Sequence, residues 1–202
     1  MSDAARMEFR PGQFGRKAGA PGVTIREITG CSLASVLARR GQRDAAADAA
    51  ERAFGVRLPD RPKATTGRGM TFIGTGPGQW LALAEPPQDG IEARVSGALA
   101  GAVSVFEQSD SRVMLELRGD KVRDVLAKGV SVDLDPRAFK PGDAALTTVS
   151  HLAVQIWQTD EAPVYRLLVI RTFFESFWSW LSSSAAEYGA EVLEPSRYPA
   201  VQ

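Results

Sequence analysis

Phe106-Glu107-Gln108-Ser109-Asp110-Ser111-Arg112, then residues 113–118, then Gly119-Asp120, then Ser131-Val132-Asp133-Leu134, is the stretch whose reading decides the fold. Residues 103–107 are strand-like. Residues 112–118 alternate, with Val113, Leu115 and Leu117 on one face and Met114, Glu116 and the two arginines on the other. That pattern predicts a strand with one buried face and one wet face. Gly119-Asp120 turns the chain, and Asp120 is placed to cap the next helix. Val122, Val125 and Leu126 sit at helical spacing, and Gly129 ends the run. Nothing in this stretch has the form of a nucleophile or a metal site.

The same grammar extends in both directions. Residues 1–22 hold glycines, prolines and few apolar side chains, too little to offset ordering entropy. They are expected to form a flexible N-terminal arm, or an arm that orders on a partner. Residues 23–28 alternate as a first strand, with Val23 and Ile25 on one face and Thr24, Arg26 and Ile28 on the other. Ser32 is placed to cap a short helix carrying Leu33, Val36 and Leu37. Residues 44–54 are alanine-rich and end at Gly55, the pattern of a helix with a glycine stop. Residues 58–62 are connector. Residues 70–73 and 79–84 read as two strands joined by Gly74-Thr75-Gly76-Pro77-Gly78, and residues 91–99 as a helix.

Beyond the deciding stretch, residues 146–157 and 164–170 are apolar and β-branched. Residues 159–163 separate them as a hairpin loop. Residues 173–188 make the last helix, and residues 191–202 a short C-terminal tail. Strand hairpins interleaved with single helices predict an α+β fold with mostly antiparallel sheets, not a doubly wound parallel one. The length of 202 residues permits one large domain, taken as residues 23–190, or two small lobes.

The totals exclude several functions. The 24 basic and 24 acidic residues balance, so no basic field attracts nucleic acid or an anionic membrane. No apolar run approaches the ~20 residues of a bilayer span, and the N-terminus lacks the apolar block of a secretory signal. One cysteine, Cys31, excludes an internal disulfide framework and a multi-cysteine metal site. These features fit a cytoplasmic protein.

The individual candidates are mostly explained without chemistry. His151, the single histidine, begins a strand with no cysteine or histidine cluster beside it. Cys31 opens the expected short helix and has no partner near it in sequence. The glycines at 74, 76 and 78 lead into a strand, whereas a dinucleotide loop leads into a helix whose N-terminus faces the phosphate. Asp133 and Asp135 flank Leu134 in a turn where aspartate bonds its own backbone. In the last helix Phe173, Phe177, Leu181, Ala185 and Tyr188 form one stripe, Phe174 and Trp178 one edge, and Trp180 the other. The apolar arc is roughly 160° wide by helical geometry. Most of it serves the core. Its edges, Trp178 and Trp180, are the candidate partner surface, since tryptophan favours interface centres.

The order of these parts resembles one family, the folate-binding aminomethyltransferase-like domains, and within it the gamma subunits of heterotetrameric sarcosine oxidase. Glu107-Gln108-Ser109 stands at the family's Asp-x-Ser motif, with glutamate for aspartate. Gly119-Asp120 opens the helix, Val132-Asp133-Leu134 matches the turn, and Pro141-Gly142 and Thr147-Thr148 follow in order. Gamma-subunit details are Arg26-Glu27, Gly76-Pro77-Gly78-Gln79-Trp80-Leu81, Arg137-Ala138-Phe139 and Ser176-Phe177-Trp178-Ser179-Trp180-Leu181. Together they cover residues 23–190. Catalytic members carry acidic residues where this chain has His151-Leu152-Ala153-Val154-Gln155-Ile156-Trp157. Valine or isoleucine cannot act as acid, base or charge stabiliser.

The resemblance therefore implies a structural subunit with no catalytic, cofactor-binding or metal-binding residues of its own. It implies a complex that oxidatively demethylates sarcosine to glycine, giving hydrogen peroxide and formaldehyde or 5,10-methylenetetrahydrofolate. The implied partners are alpha, beta and delta subunits holding FAD, FMN, NAD, tetrahydrofolate and zinc. Two readings compete. An independent tetrahydrofolate-binding or one-carbon-transfer protein would show an open pocket with a carboxylate in it. A folate-fold module of a nucleic-acid-modifying system would show a basic face.

Overall fold

The structure, a computed structural model, describes residues 9–16, 18–87, 89–99 and 101–197. Within them the chain divides into two compact units. One gathers the chain up to Thr29, Asp110–Pro141 and Leu146–Ser196, and the other holds Gly30–Ser109 and Gly142–Ala145. The domain expected over residues 23–190 is thus two lobes, and the chain passes between them more than once.

The first unit is built on a seven-stranded sheet of order β1-β12-β2-β8-β11-β10-β9. Its strands are β1 (Gly12–Phe14), β2 (Val23–Thr29), β8 (Arg112–Arg118), β9 (Ala144–Val149), β10 (Leu152–Asp160), β11 (Val164–Ile170) and β12 (Ala190–Arg197). Strand β8 pairs antiparallel with β2 and β11, and β11 with β10. Helices α3 (Val122–Leu126) and α4 (Phe174–Ala186) accompany it. Val113, Leu115 and Leu117 of β8 share a face with Ile25, Tyr165 and Leu167, all buried. Arg123 of α3 donates from Nε to Tyr165 Oη at 3.0 Å, which sets the helix on that face.

The second unit carries a five-stranded sheet of order β4-β5-β6-β3-β7. Its strands are β3 (Ser32–Ala38), β4 (Ala64–Gly67), β5 (Met70–Gly76), β6 (Gln79–Ala84) and β7 (Val103–Glu107). Helices α1 (Arg43–Phe54) and α2 (Ile91–Ala98) cover one face. Alternation puts Ala34, Val36, Phe72, Trp80, Ala82 and Val105 on that face, where they pack with Ala46, Ala50, Phe54, Ile91 and Val95. Alanines on the buried side of α1 let it approach the sheet closely. Gly55 ends α1 in the left-handed region at φ 69°, its N–H bonded to Glu51 O, as the alanine-rich run predicts.

Four expectations need correction. Residues 32–38 are strand β3, not a helix, because neighbours on both sides, β6 and β7, complete its hydrogen bonds. The apolar period there also fits two residues, and tertiary pairing overrides the local reading. The run 146–157 breaks at Ser150 and His151, which adopt φ 47° and 73° and turn β9 into β10. Asp120 does not cap α3, whose N-cap is Lys121 with no side-chain cap. Both faces of β8 are buried, Met114 at 2% and Glu116 at 4% exposure, so alternation on this strand does not separate core from water.

The chain ends also differ from expectation. Within the predicted arm, Gly12–Phe14 pairs with β12 in the register Gly12↔Val192 to Phe14↔Ala190. Within the predicted tail, β12 runs to Arg197. Neither segment has the apolar content of a strand seen alone, and each is held by backbone pairing to the other. Residues 1–8 and 198–202 lie outside the described residues.

The Glu107-Gln108-Ser109 segment is a backbone clamp. Glu107 accepts from Ser109 N–H at 3.3 Å, and Ser109 Oγ donates to the same carboxylate. Ser109 Oγ in turn accepts from Leu33 N–H at 2.9 Å, which ties the end of β7 to the start of β3. Ser109→Ala is expected to cost about 1 kcal/mol, read as a lowered urea midpoint at unchanged slope.

Candidate functional site

The face of the seven-stranded sheet opposite α3 is polar and largely buried. Register defines its rungs. Arg26 of β2 lies opposite Glu116 of β8, and Arg166 of β11 lies on the other side of Glu116, with Trp157 of β10 beyond it. The next rung holds Ile28, Met114, Leu168 and Gln155. Arg118 and Arg112 occupy the two ends of β8 on this face.

Glu116 is the organising charge. Its Oε1 accepts from Arg118 Nε at 2.7 Å, and its Oε2 accepts from Arg166 Nε at 3.1 Å. Burial pushes its carboxyl upward. The hydrogen bond from Arg118 and the charges of Arg166 and Arg118 together outweigh burial and hold it below its ordinary value. Glu116 is thus a fixed anion.

Its neighbours are less satisfied. Arg26 Nε and Arg112 Nε are buried without a hydrogen-bond partner, and burial pushes the Arg112 guanidinium below its ordinary value. Gln155 is fully buried, and neither its Oε1 nor its Nε2 has a partner. A buried amide with both ends unmet costs free energy. Gln155→Leu, close in volume, is therefore expected to stabilise the fold by about 1 kcal/mol, seen as a raised melting temperature. An unchanged or lowered one would mean the amide has partners in solution.

The two polar groups at the centre of this face are poorly suited to acid–base chemistry. Gln155 has no exchangeable acid–base proton at neutral pH, and Glu116 is pinned by two guanidiniums. Gln155 lies inside residues 151–157, and sequence reasoning passed over it because an uncharged residue between valine and isoleucine carries no periodic signal. Only burial without a partner reveals it.

The other candidates are dispersed. His151 is exposed in the β9–β10 turn. Cys31 is half-buried in the β2–β3 turn, not at a helix start. The glycines at 74, 76 and 78 belong to a hairpin, and a Cβ on Gly74 would meet Arg61 O at 2.4 Å, so close strand-to-connector packing accounts for it. Asp133 Oδ1 accepts from Asp135 N–H at 2.9 Å, and Asp135 Oδ1 from Arg137 N–H at 2.9 Å, the local turn bonding expected of them. The Arg137 side chain and backbone hydrogen bonds hold the Asp135 carboxyl down at about 2.

The two tryptophans separate. Trp178 is 6% exposed, with the ring centroids of Phe9 and Phe14 at 4.8 and 5.9 Å. As a partner-facing residue it is corrected: the chain's own N-terminal segment covers it. Trp180 is half-buried on Phe177, at 5.6 Å, and over Gly129, where a Cβ would come within 2.7 Å of the indole.

The glycine-rich run is a hairpin and presents no helix N-terminus to a phosphate. Among the described residues no three His, Cys, Asp or Glu side chains come together as a metal site. On the polar face Glu116 is engaged by both Arg118 and Arg166. One cleft of about 570 Å³ lies beside Pro136, Phe139 and Lys140, and another of about 530 Å³ beside Arg43, Arg61 and Trp80. The first is lined by Glu161 with Arg123 and Lys140, and the second by Asp44 and Asp60 with Arg43, Arg57, Arg61 and Lys63.

Comparison with known proteins decides the family. A profile described as "Sarcosine oxidase, gamma subunit family" matches residues 40–187. The chain is 34% identical over 180 residues to the sarcosine oxidase subunit gamma of Arthrobacter sp, covering 87% of this chain and 85% of that one. The chain belongs to the sarcosine oxidase gamma subunit family. Another member, from Corynebacterium sp. (strain P-1), is 33% identical over 172 residues, covering 84% and 83% of the two chains.

In structure the chain matches one in the heterotetrameric sarcosine oxidase of Corynebacterium sp. U-96, solved with pyrrole 2-carboxylate. The TM-score is 0.73 at 30% identity, covering 85% and 87% of the two chains. It also shares its fold with the glycine cleavage system aminomethyltransferase T of Bartonella henselae, at TM-score 0.59 and 12% identity, over 95% of this chain and 50% of that one. The gamma family thus stands on the aminomethyltransferase fold, α+β with mostly antiparallel sheets. Among the described residues no helix is long and apolar enough to cross a membrane.

Proposed function

We propose that this chain is the non-catalytic, structural gamma subunit of a cytoplasmic heterotetrameric sarcosine oxidase. Its partners are the larger alpha and beta subunits and the small delta subunit. They hold the FAD, FMN, NAD, tetrahydrofolate and zinc, and none is bound by this chain. The assembled enzyme demethylates sarcosine to glycine, with hydrogen peroxide and formaldehyde or 5,10-methylenetetrahydrofolate as products. Family membership supports the subunit role. The observation that carries its non-catalytic character is Gln155, an uncharged amide buried in the segment where catalytic relatives of the fold place acidic residues.

Reconstitution tests this. The other three subunits are combined with wild-type chain or with Gln155→Leu, and sarcosine-dependent peroxide formation is followed. Equal turnover in both assemblies is expected, together with no heat of tetrahydrofolate binding to the isolated chain. An intact complex that loses turnover with the variant, or saturable binding of tetrahydrofolate by the chain alone, would overturn the proposal in favour of an active folate site.

A further inference from the structure

The two sheets have four edges, and three of them are blunted. β1 is three residues long. β9 is tied at both ends, through the Val130↔Val149 bridge and the bond from Ala144 N–H to Pro62 O. β4 is bordered by the Lys63↔Asp143 bridge and the bond from Ala64 N–H to Gly142 O. The fourth edge, β7, has no such cover among the described residues.

Register shows what β7 presents. Gln108 N–H bonds Leu33 O, and Arg39 N–H bonds Ala102 O. Even-numbered residues of β7 therefore pair with β3, and antiparallel geometry turns the N–H and C=O groups of Val103, Val105 and Glu107 outward. The β3–β7 register runs without a bulge, and the strand contains no proline and no lysine. Those are the usual devices that keep an edge from pairing.

The side chains beside this edge point the same way. Phe106 is 55% exposed and Leu37 38%. Phe106 and Ser104 share the face away from α1 and α2, and Leu37 lies opposite Ser104, so the two apolar side chains are diagonal neighbours. Glu107 at the strand's end is exposed. The edge thus offers a row of main-chain groups, an apolar pair on one face and an anion at one end.

We propose that β7 is the chain's docking edge, completed by an extended strand from one of the larger subunits. Only an extended backbone can meet the outward groups of Val103, Val105 and Glu107 together. The added strand places apolar residues beside Phe106 and Leu37 and a basic residue opposite Glu107. This rests on the reading of the chain as an assembly subunit.

Hydrogen–deuterium exchange, resolved to β7, is measured on the purified chain and on the assembled complex. The amides of Val103, Val105 and Glu107 are expected to exchange fast in the free chain and at least about tenfold slower in the complex. The Leu37→Lys, Phe106→Lys double variant should melt like wild type, both sites being exposed, and should recover about tenfold less complex. Slow exchange already present in the free chain would overturn the proposal, since a second copy or the chain itself would then cover β7. So would unchanged exchange in a complex that does form, which leaves the subunit reading standing. Failure of the wild-type chain to recover any partner would remove both.

Discussion

Glu116→Ala is expected to lower the stability of the folded chain by about 3 kcal/mol, one of the two largest effects foreseen for single substitutions. Glu116 lies on a sheet face that carries Arg26, Arg112, Arg118 and Arg166. Two of these donate to it directly, and Arg166 is largely buried. Removing the anion breaks a buried ion pair from one side, and that costs more than the pair itself is worth. Chemical denaturation at pH 7 reads the effect.

The same residue gives a pH signature. Its carboxyl titrates below its ordinary value in the folded chain. The stabilisation is therefore fully present above the unfolded value, about 4.3, and is lost as pH falls through the lower folded one. Wild type should lose more stability than Glu116→Gln between pH 6 and pH 3, bringing the two closer in acid. Parallel pH profiles would show that Glu116 is not held as an ion pair.

Gly119→Ala is expected to cost about 3 kcal/mol as well, for a different reason. Gly119 has φ 121°, and a Cβ there would sit 2.3 Å from Gly22 O. The contact is backbone on backbone, at the point where Lys121 N–H bonds that same Gly22 carbonyl. Neither side can rotate away, so β2 and β8 must separate or the turn must open. Gly101, also at positive φ but with nothing within 4 Å, serves as a control, and its alanine variant should cost only the strain. Equal effects at both glycines would show that the close approach does not matter. The Gly119-Asp120 pair of the family pattern is thus explained by its first residue, since Asp120 caps nothing.

How far the sequence could be read follows from where each signal originates. α1 is legible because alanine content and a terminal glycine are local facts. The hairpin at residues 74–78 is legible for the same reason. β3 is not, because Ser-Leu-Ala-Ser-Val-Leu-Ala fits a short helix as well as a strand, and only β6 and β7 on either side decide it. β1 and β12 are invisible singly, since each is specified by the other's backbone.

The polar face shows the same limit. Alternation on β8 correctly divides its side chains into two sets, yet it says nothing of the burial of Glu116 or of the arginines that flank it from β2 and β11. Gln155 was out of reach for sequence reasoning, because its significance lies in what it fails to touch. Trp178 misled for a related reason: an aromatic at the edge of a helix stripe looks available until Phe9 and Phe14 are seen to cover it.

The account's central claim, that this chain works inside an oxidase assembly, is tested most directly by affinity purification of the chain from its native cells. Co-purifying proteins are identified and a visible absorption spectrum recorded. Two large chains and one small chain, recovered in fixed proportion with a yellow flavin spectrum, are the predicted result. A colourless protein recovered without partners, in cells oxidising sarcosine, would contradict it.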